Sequence, residues 1–147
     1  MKRSITFFCA FLVSIIFSAS SYAQSSGLLL GVNVFPVNTG LQVASTISNT
    51  PAVGKLYPGD ILRFITAYGH PVYSAQYLDH LEKAKSAIGA NQDAFLLILR
   101  NGMPMCFKIP FLRTQSVYRA DRNNLSMTPV SQSEARRLFG NDVFSGR

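Results

Sequence analysis

A few side chains in this sequence have the chemistry of catalysts or metal ligands, and their spacing decides whether they could act together. His70 stands between a glycine and a proline, whereas His80 falls in a helical pattern. Cys106 is not at helical or hairpin spacing from either histidine, so the pattern does not predict a metal site. No side chain stands beside a base as an activated nucleophile would. We therefore expect no catalytic residue, no metal and no cofactor.

Three carboxylates, at Asp60, Asp79 and Glu82, also have the chemistry of catalytic groups. Asp79 and Glu82 have the spacing of a paired-carboxylate site, but two lysines follow in the same helical pattern, so a salt-bridged surface explains them.

Asp60 directly follows Pro58-Gly59. Pro58 suits the second position of a tight turn and Gly59 supplies a positive φ at the third, while Asp60 can bond the turn's own backbone. We interpret Asp60 as structural.

The beginning of the chain has the pattern of a secretory signal peptide. Lys2 and Arg3 precede an apolar run over residues 5–17, and small residues lead to a cleavage position after Ala23. The run is too short to span a bilayer comfortably, although retention as a membrane anchor stays open. We therefore expect a signal peptide over residues 1–23 and a periplasmic or secreted protein.

The chain left after cleavage is small, moderately basic and without a cysteine pair. Removing 23 of the 147 residues leaves 124, enough for one compact domain. The formal charge falls from +7 to +5 with the loss of two basic residues, and an exported protein of this charge is not expected to bind nucleic acid. Cys106 alternates away from five apolar residues of its strand, so partial exposure and an intermolecular disulfide are conceivable.

Patterns of period two predict strands on both sides of a turn-rich loop. Residues 27–35 form an apolar run interrupted at Gly31, which predicts a strand broken by a close backbone approach. Residues 40–48 alternate between apolar and polar types, which predicts a half-buried strand. After the loop comes the apolar run "ILRFI", and the Gly-His-Pro turn within "YGHPV" then leads to a short extended piece.

One helix and one hairpin follow. The period changes to about 3.6 residues after Ser74, which predicts a helix over 75–88 with Ser74 as its N-cap and Gly89 at its end. Asn101-Gly102 then separates two apolar runs and predicts a type I′ hairpin. Two prolines in the second arm indicate an edge strand.

Residues 113–147 differ from the rest in composition, with six basic side chains against three acidic ones. They predict a basic, mostly flexible tail with a short helix at 132–139, because Ser131 and Glu134 have capping-box spacing and Gly140 can stop the helix. The arginines could make a weak contact with an anionic membrane surface. A solvated extension is the alternative.

The order of these elements, with the motifs "LLGV", "PA", "PGDIL" and "RNG", resembles a bacterial PDZ domain of the type found in exported serine proteases and secretion-system subunits. The resemblance covers roughly Leu28 to Leu112. It implies an α+β fold over residues 27–112, a small antiparallel β-barrel or sandwich of five to six strands with one main helix and room for a short second one. Tyr68-Gly69 replaces the usual Asn-Gly, and no protease domain accompanies the module.

The resemblance also implies a groove between the second strand of the domain and the helix, where a partner peptide joins the sheet as an extra strand. The implied peptide and carboxylate site consists of Leu29, Leu30, Gly31, Val32, Asn33, Val34, Tyr77 and Leu81. The first four form the carboxylate loop, and the last two face the groove from the helix. An ordinary bulge at Gly31 is the alternative.

These patterns together predict a non-catalytic adaptor or protease regulator that binds protein C-termini or extended peptides with apolar ends. An envelope protease or a secretion component is the expected kind of partner. The alternative is a structural subunit of an envelope or secretion assembly that uses the same surface. The groove could be open, vestigial or occupied by the tail, which is long enough to reach back.

Overall fold

The computed structural model describes residues 28–90, 92–113 and 126–144, so the predicted signal peptide lies outside the described residues. Within these ranges the strands are β1 (Leu28–Leu29), β2 (Val32–Val37), β3 (Gly40–Thr46), β4 (Ile61–Ala67), β5 (Tyr73–Ser74), β6 (Asp93–Arg100), β7 (Met103–Pro110), β8 (Leu112–Arg113) and β9 (Thr128–Pro129). The helices are α1 (Leu78–Ile88), α2 (Gln132–Phe139) and α3 (Asn141–Phe144). None of these helices is long and apolar enough to cross a bilayer.

Seven strands form one antiparallel sheet in the order β2-β3-β4-β6-β7-β9, with β5 paired to β4 beside this path. Strands β1 and β8 form a separate antiparallel pair. The predicted α+β class is confirmed at this level. The five longest strands are β2, β3, β4, β6 and β7, and the others are two-residue pairings too short to leave a periodic pattern in the sequence.

Strand β6 is buried on both of its faces. Leu96 and Ile98 point into the main hydrophobic cluster, which also contains Leu81 and Ile88 of α1. The intervening side chains, such as Leu97, point into a second cluster on the opposite face. A strand covered on both sides needs apolar residues at every position, which explains why β6 reads as a continuous apolar run.

The second cluster is formed between the sheet and the C-terminal helices. Its buried members are Phe95, Leu97, Cys106, Ala135, Phe139 and Phe144. Helix α2 occupies the predicted residues: the Oγ of Ser131 accepts a hydrogen bond from the Glu134 N–H, and Gly140 with a φ of 80° ends the helix. The predicted flexible tail is wrong for residues 126–144, because they cover a face of the sheet.

Cys106 lies beneath this C-terminal layer. Its side chain is buried, and the Val130 N–H donates to its carbonyl at 2.9 Å. Burial raises the pKa of the thiol to about 12. The expected partial exposure was therefore wrong, because the face opposite the main cluster is covered by α2 and α3 and not by solvent.

Helix α1 begins three residues later than predicted. Ser74 ends β5, and its Oγ accepts from the Gln76 N–H at 3.3 Å instead of capping the helix. Tyr77 is the N-cap, in an extended conformation and without a side-chain hydrogen bond. The predicted end is confirmed, since Gly89 has a φ of 83° and donates to Lys85 O.

The predicted hairpin is confirmed at Asn101-Gly102, whose φ angles are 52° and 78°. Its arms pair from Arg100 and Met103 at the turn to Asp93 and Pro110 at the far end. Among the described residues, the outer side of β7 pairs with β9 only around Lys108, so in this part of the chain β7 is an edge strand over most of its length.

Candidate functional site

Strand β2 forms the other edge of the seven-stranded sheet. Among the described residues it pairs with β3 alone, from Val32 opposite Thr46 to Val37 opposite Gly40. An edge strand presents unpaired main-chain groups on one side, which makes it a template for an added strand. The main-chain groups of β2 that face away from β3 are therefore the ones that a partner strand could bind.

Val32 directs its main-chain groups outward. The Ile47 N–H donates to Gly31 O at 2.8 Å, and this bond flanks the pair formed by Val32 and Thr46. In an antiparallel ladder, a pair flanked in this way is a non-hydrogen-bonded pair. The N–H and C=O of Val32 therefore point away from β3, toward the open edge.

Val34 has the same orientation. Its partner across the ladder, Val43, uses both main-chain groups on the β4 side, where it donates to Asp60 O at 2.8 Å and accepts from the Gly59 N–H at 2.9 Å. The groups of Val34 are then also directed outward. Ala44 is the unpaired residue of a bulge in β3 that maintains this arrangement.

Gly31 begins the edge with a conformation that only glycine adopts readily. Its φ is 88°, and a Cβ at this position would clash with Thr50 Oγ1 and lie 2.6 Å from Thr50 Cβ. Its carbonyl accepts hydrogen bonds from Ile47 N and from Thr50 Oγ1. The predicted close backbone approach is confirmed, and the register irregularity of β2 lies after Asn33 and not at Gly31.

The other predicted strand residues occupy different environments. Leu30 is buried in the main cluster, and Val32 and Val34 are partly buried against it. Asn33 is exposed on the opposite face, where its Nδ2 donates to Ser45 Oγ at 2.9 Å. Leu29 pairs with Leu112 in the β1–β8 ladder and so lies outside the β2 edge.

The two predicted helix residues also differ from each other. Tyr77 precedes α1, is half exposed, and places its ring edge-on to His80 with 5.2 Å between centroids. Leu81 is buried in the main cluster. Because Val32 and Val34 pack against the same cluster, α1 and β2 border one apolar region, in which the Leu81 side chain is buried.

The "PGD" turn stabilises the loop that joins β3 to β4. Gly59 has a φ of 96°, and the buried carboxylate of Asp60 accepts from the Tyr57 N–H at 2.9 Å. Arg100 donates to both carboxylate oxygens of Asp60, at 2.8 and 2.7 Å, and this hydrogen bonding raises the pKa of Arg100. The structural interpretation of Asp60 is confirmed. Arg100 was not singled out from the sequence, because its partner lies forty residues away.

The remaining polar candidates form ion pairs in α1. Asp79 pairs with Lys83 at 3.3 Å on the surface, and Glu82 pairs with Lys85 at 2.6 Å. The predicted salt bridges are therefore present, but Lys85 is buried and not on a solvated flank. Within the described ranges, no three His, Cys, Asp or Glu side chains converge as a metal site would require.

The opposite edge of the sheet is closed. Because Cys106 O accepts from the Val130 N–H on the outer side of β7, alternation along β7 directs the nitrogens of Pro104 and Pro110 to the same outer side. Proline at such positions removes no bond from the β6–β7 ladder and prevents pairing with another strand. The two edges therefore differ: among the described residues, β2 has outward N–H groups on the alternate residues Val32 and Val34, whereas the outward positions Pro104 and Pro110 of β7 have none.

Helices α2 and α3 of the C-terminal layer pack on the second cluster, whereas Val32 and Val34 of β2 pack against the main cluster. The last described residue of this layer, Phe144, is buried in the second cluster, and α2 contacts β4 and β7. Residues 126–144 carry two arginines and two carboxylates, and Arg137 is hydrogen-bonded to Glu134 at 2.7 Å. The net positive charge of the tail therefore comes from residues outside this layer.

Comparison with protein-family models, with curated proteins and with solved structures found no match to this chain. The geometry of the β2 edge is therefore the basis on which a function can be proposed.

Proposed function

We propose that this chain is an exported, PDZ-like module that binds apolar protein C-termini or extended peptides by strand addition and has no catalytic activity of its own. The observation that carries the proposal is the open edge of β2, where Val32 and Val34 direct main-chain donors and acceptors outward beside Gly31. The signal-peptide pattern at the beginning of the sequence supports a periplasmic or secreted location.

Strand addition at this edge would be weak and dependent on side chains. Val32 and Val34 offer four main-chain hydrogen bonds, each with a net contribution of about 1 kcal/mol. The loss of translational and rotational freedom on association costs at least as much free energy as these four bonds contribute together. Binding therefore needs support from an apolar side chain of the peptide that is buried near Leu30 and Val32. We expect dissociation constants in about the micromolar range.

The first prediction concerns peptide binding itself. The chain without its predicted signal peptide should select apolar sequences from a library of peptides with free C-termini, measured by fluorescence polarisation. N-methylation of the peptide nitrogens that face Val32 and Val34 should remove binding, because it removes the donors to their carbonyls. N-methylation at the alternating positions, which face away, is the matched control and should leave binding within about twofold.

A protein variant tests the same edge. Val34→Pro removes an N–H that β3 does not use, so the β2–β3 ladder stays complete while the edge is blocked. We expect loss of peptide binding with an unchanged far-ultraviolet spectrum. Folded Val34→Pro that binds peptides as tightly as the natural chain would exclude strand addition at β2. Gly31 is less suitable for this test because its substitution also disturbs folding.

A fixed subunit of an envelope or secretion assembly is the second candidate. The observation in its favour is that β2, with the sequence VNVFPV, lacks the charged side chains that usually guard an edge strand. Absence of any peptide binding, together with cross-linking of the β2 edge to one partner in envelope extracts, would favour this candidate. An envelope protease or a secretion component is the kind of partner that we expect in either case.

A further inference from the structure

Pro36 occupies the next outward position of β2 after Val34. It pairs with Leu41, two residues beyond the pair formed by Val34 and Val43 in the same ladder. Orientation alternates along a strand, so the nitrogen of Pro36 faces the open edge as those of Val32 and Val34 do. Proline has no N–H, and its ring occupies the space through which an added strand would approach.

The available edge is also limited at its other end. The φ of 88° at Gly31 takes the backbone out of the extended conformation. The residues before it, Leu28 and Leu29, pair with Arg113 and Leu112 of β8. Continuous pairing with an added strand is therefore confined between Gly31 and Pro36, and only Val32 and Val34 lie within this interval with outward groups.

We propose that Pro36 is a specificity-determining residue that ends strand addition after Val34, so that main-chain pairing with a peptide is confined to Val32 and Val34 and gains nothing from a longer strand. This inference rests on the proposed function. It assigns short extended segments to the site as its ligand class, and it disfavours longer strands, because their further residues would meet the proline ring.

The test uses a nested series of N-acetylated peptides with a free C-terminus. The best binder from the library described above is extended at its N-terminus from a tetrapeptide to an octapeptide, and each peptide is titrated against residues 24–147. For the natural chain we expect the affinity to stay within about twofold across the series.

Pro36→Val restores an N–H and removes the ring at an exposed position whose nitrogen is not used by β3. In this variant the octapeptide should bind about threefold to tenfold more tightly than the tetrapeptide, the effect of one or two added main-chain hydrogen bonds. Pro110→Val, at the opposite edge of the sheet, is the matched control and should keep the flat length dependence of the natural chain.

The outcomes are distinguishable. A steady gain of affinity with length in the natural chain, or the same flat dependence in Pro36→Val, would overturn the role of Pro36 while leaving peptide binding in place. Failure of every peptide in the library to bind the natural chain would overturn both the role of Pro36 and the proposed function.

Discussion

At Gly31, two constraints act on a single residue. The positive φ disfavours any side chain, and the contact with Thr50 excludes a Cβ on steric grounds alone. Gly54 also has a positive φ, of 72°, but no atom lies within 4 Å of the position that its Cβ would occupy. A side chain at Gly54 would therefore cause conformational strain alone, whereas a side chain at Gly31 would cause strain and steric overlap together.

We predict that Gly31→Ala lowers the free energy of unfolding by more than about 2 kcal/mol, because strain and overlap add. Gly54→Ala should cost only about 1 kcal/mol, from strain alone. Urea denaturation of both variants measures the difference. Equal losses would mean that Thr50 moves aside without cost.

The ion pair between Asp60 and Arg100 is a second residue-scale determinant of stability. The Asp60 side chain is 3% exposed and accepts two hydrogen bonds from Arg100 besides the one within its own turn, so its neutralisation leaves Arg100 without a charged partner. We predict that Asp60→Asn lowers the free energy of unfolding by about 3 kcal/mol.

Asp93→Asn provides the matched control in chemical denaturation. Its ion pair with Lys108 is about half exposed, and its loss should cost less than about 0.5 kcal/mol. A similar cost for both variants would show that the Asp60 pair adds nothing beyond a surface contact.

Among the elements, helix α2 is attached to the sheet by a polar contact as well as by its apolar face. The Tyr68 hydroxyl donates to Glu134 at 2.9 Å, and Arg137 donates to both Glu134 oxygens. Hydrogen bonds from Arg137, and then from Tyr68, lower the pKa of Glu134. The bond to Glu134 raises the pKa of Tyr68.

These shifts predict how the attachment of α2 depends on pH. A carboxylate with a lowered pKa stabilises the fold above its unfolded value of 4.5, and this contribution is lost as the pH falls through the folded pKa. The denaturant midpoint of the natural chain should therefore exceed that of Glu134→Gln at about pH 5, and this difference should disappear as the pH falls to about 3. A constant difference across this interval would contradict the prediction.

Elements that depend on local rules could be predicted from the sequence, and those that depend on distant neighbours could not. The hairpin at Asn101-Gly102 and the capping box of α2 follow from residues adjacent in the chain. The orientation of Pro36 depends on the bulge at Ala44, which no local pattern signals. Proline in a strand indicates an edge, and this rule identified β7 as an edge strand. The same rule would have identified β2 as an edge strand from Pro36.

At the scale of the whole molecule, the C-terminal layer makes residues 126–144 part of the folded unit. The continuous apolar run of β6 contained this information, since a strand with only one buried face would alternate. What the sequence could not provide was the identity of the covering segment, because Phe139 and Phe144 lie more than thirty residues beyond β6.

We predict that Phe139→Ala lowers the free energy of unfolding by about 3 kcal/mol, because the buried ring leaves a cavity next to Phe95 and Leu97. Gln132→Ala, an exposed change in the same helix, should have an effect within about 0.5 kcal/mol. The labelling rate of Cys106 by a thiol reagent gives an independent measurement, since the thiol becomes accessible only when α2 detaches. Unchanged labelling in Phe139→Ala would show that α2 does not control access to the thiol.

The difference between the two sheet edges also bears on how this protein can associate. Growth of a β-sheet from one molecule to the next requires a free edge on each side, and Pro104, Pro110 and β9 close the side of β7. Among the described residues, a strand added at β2 therefore completes the seven-stranded sheet and leaves it no second open edge. We expect complexes formed in this way to have a fixed stoichiometry, because pairing at β2 could not continue from one molecule to the next even though β2 itself carries no charge.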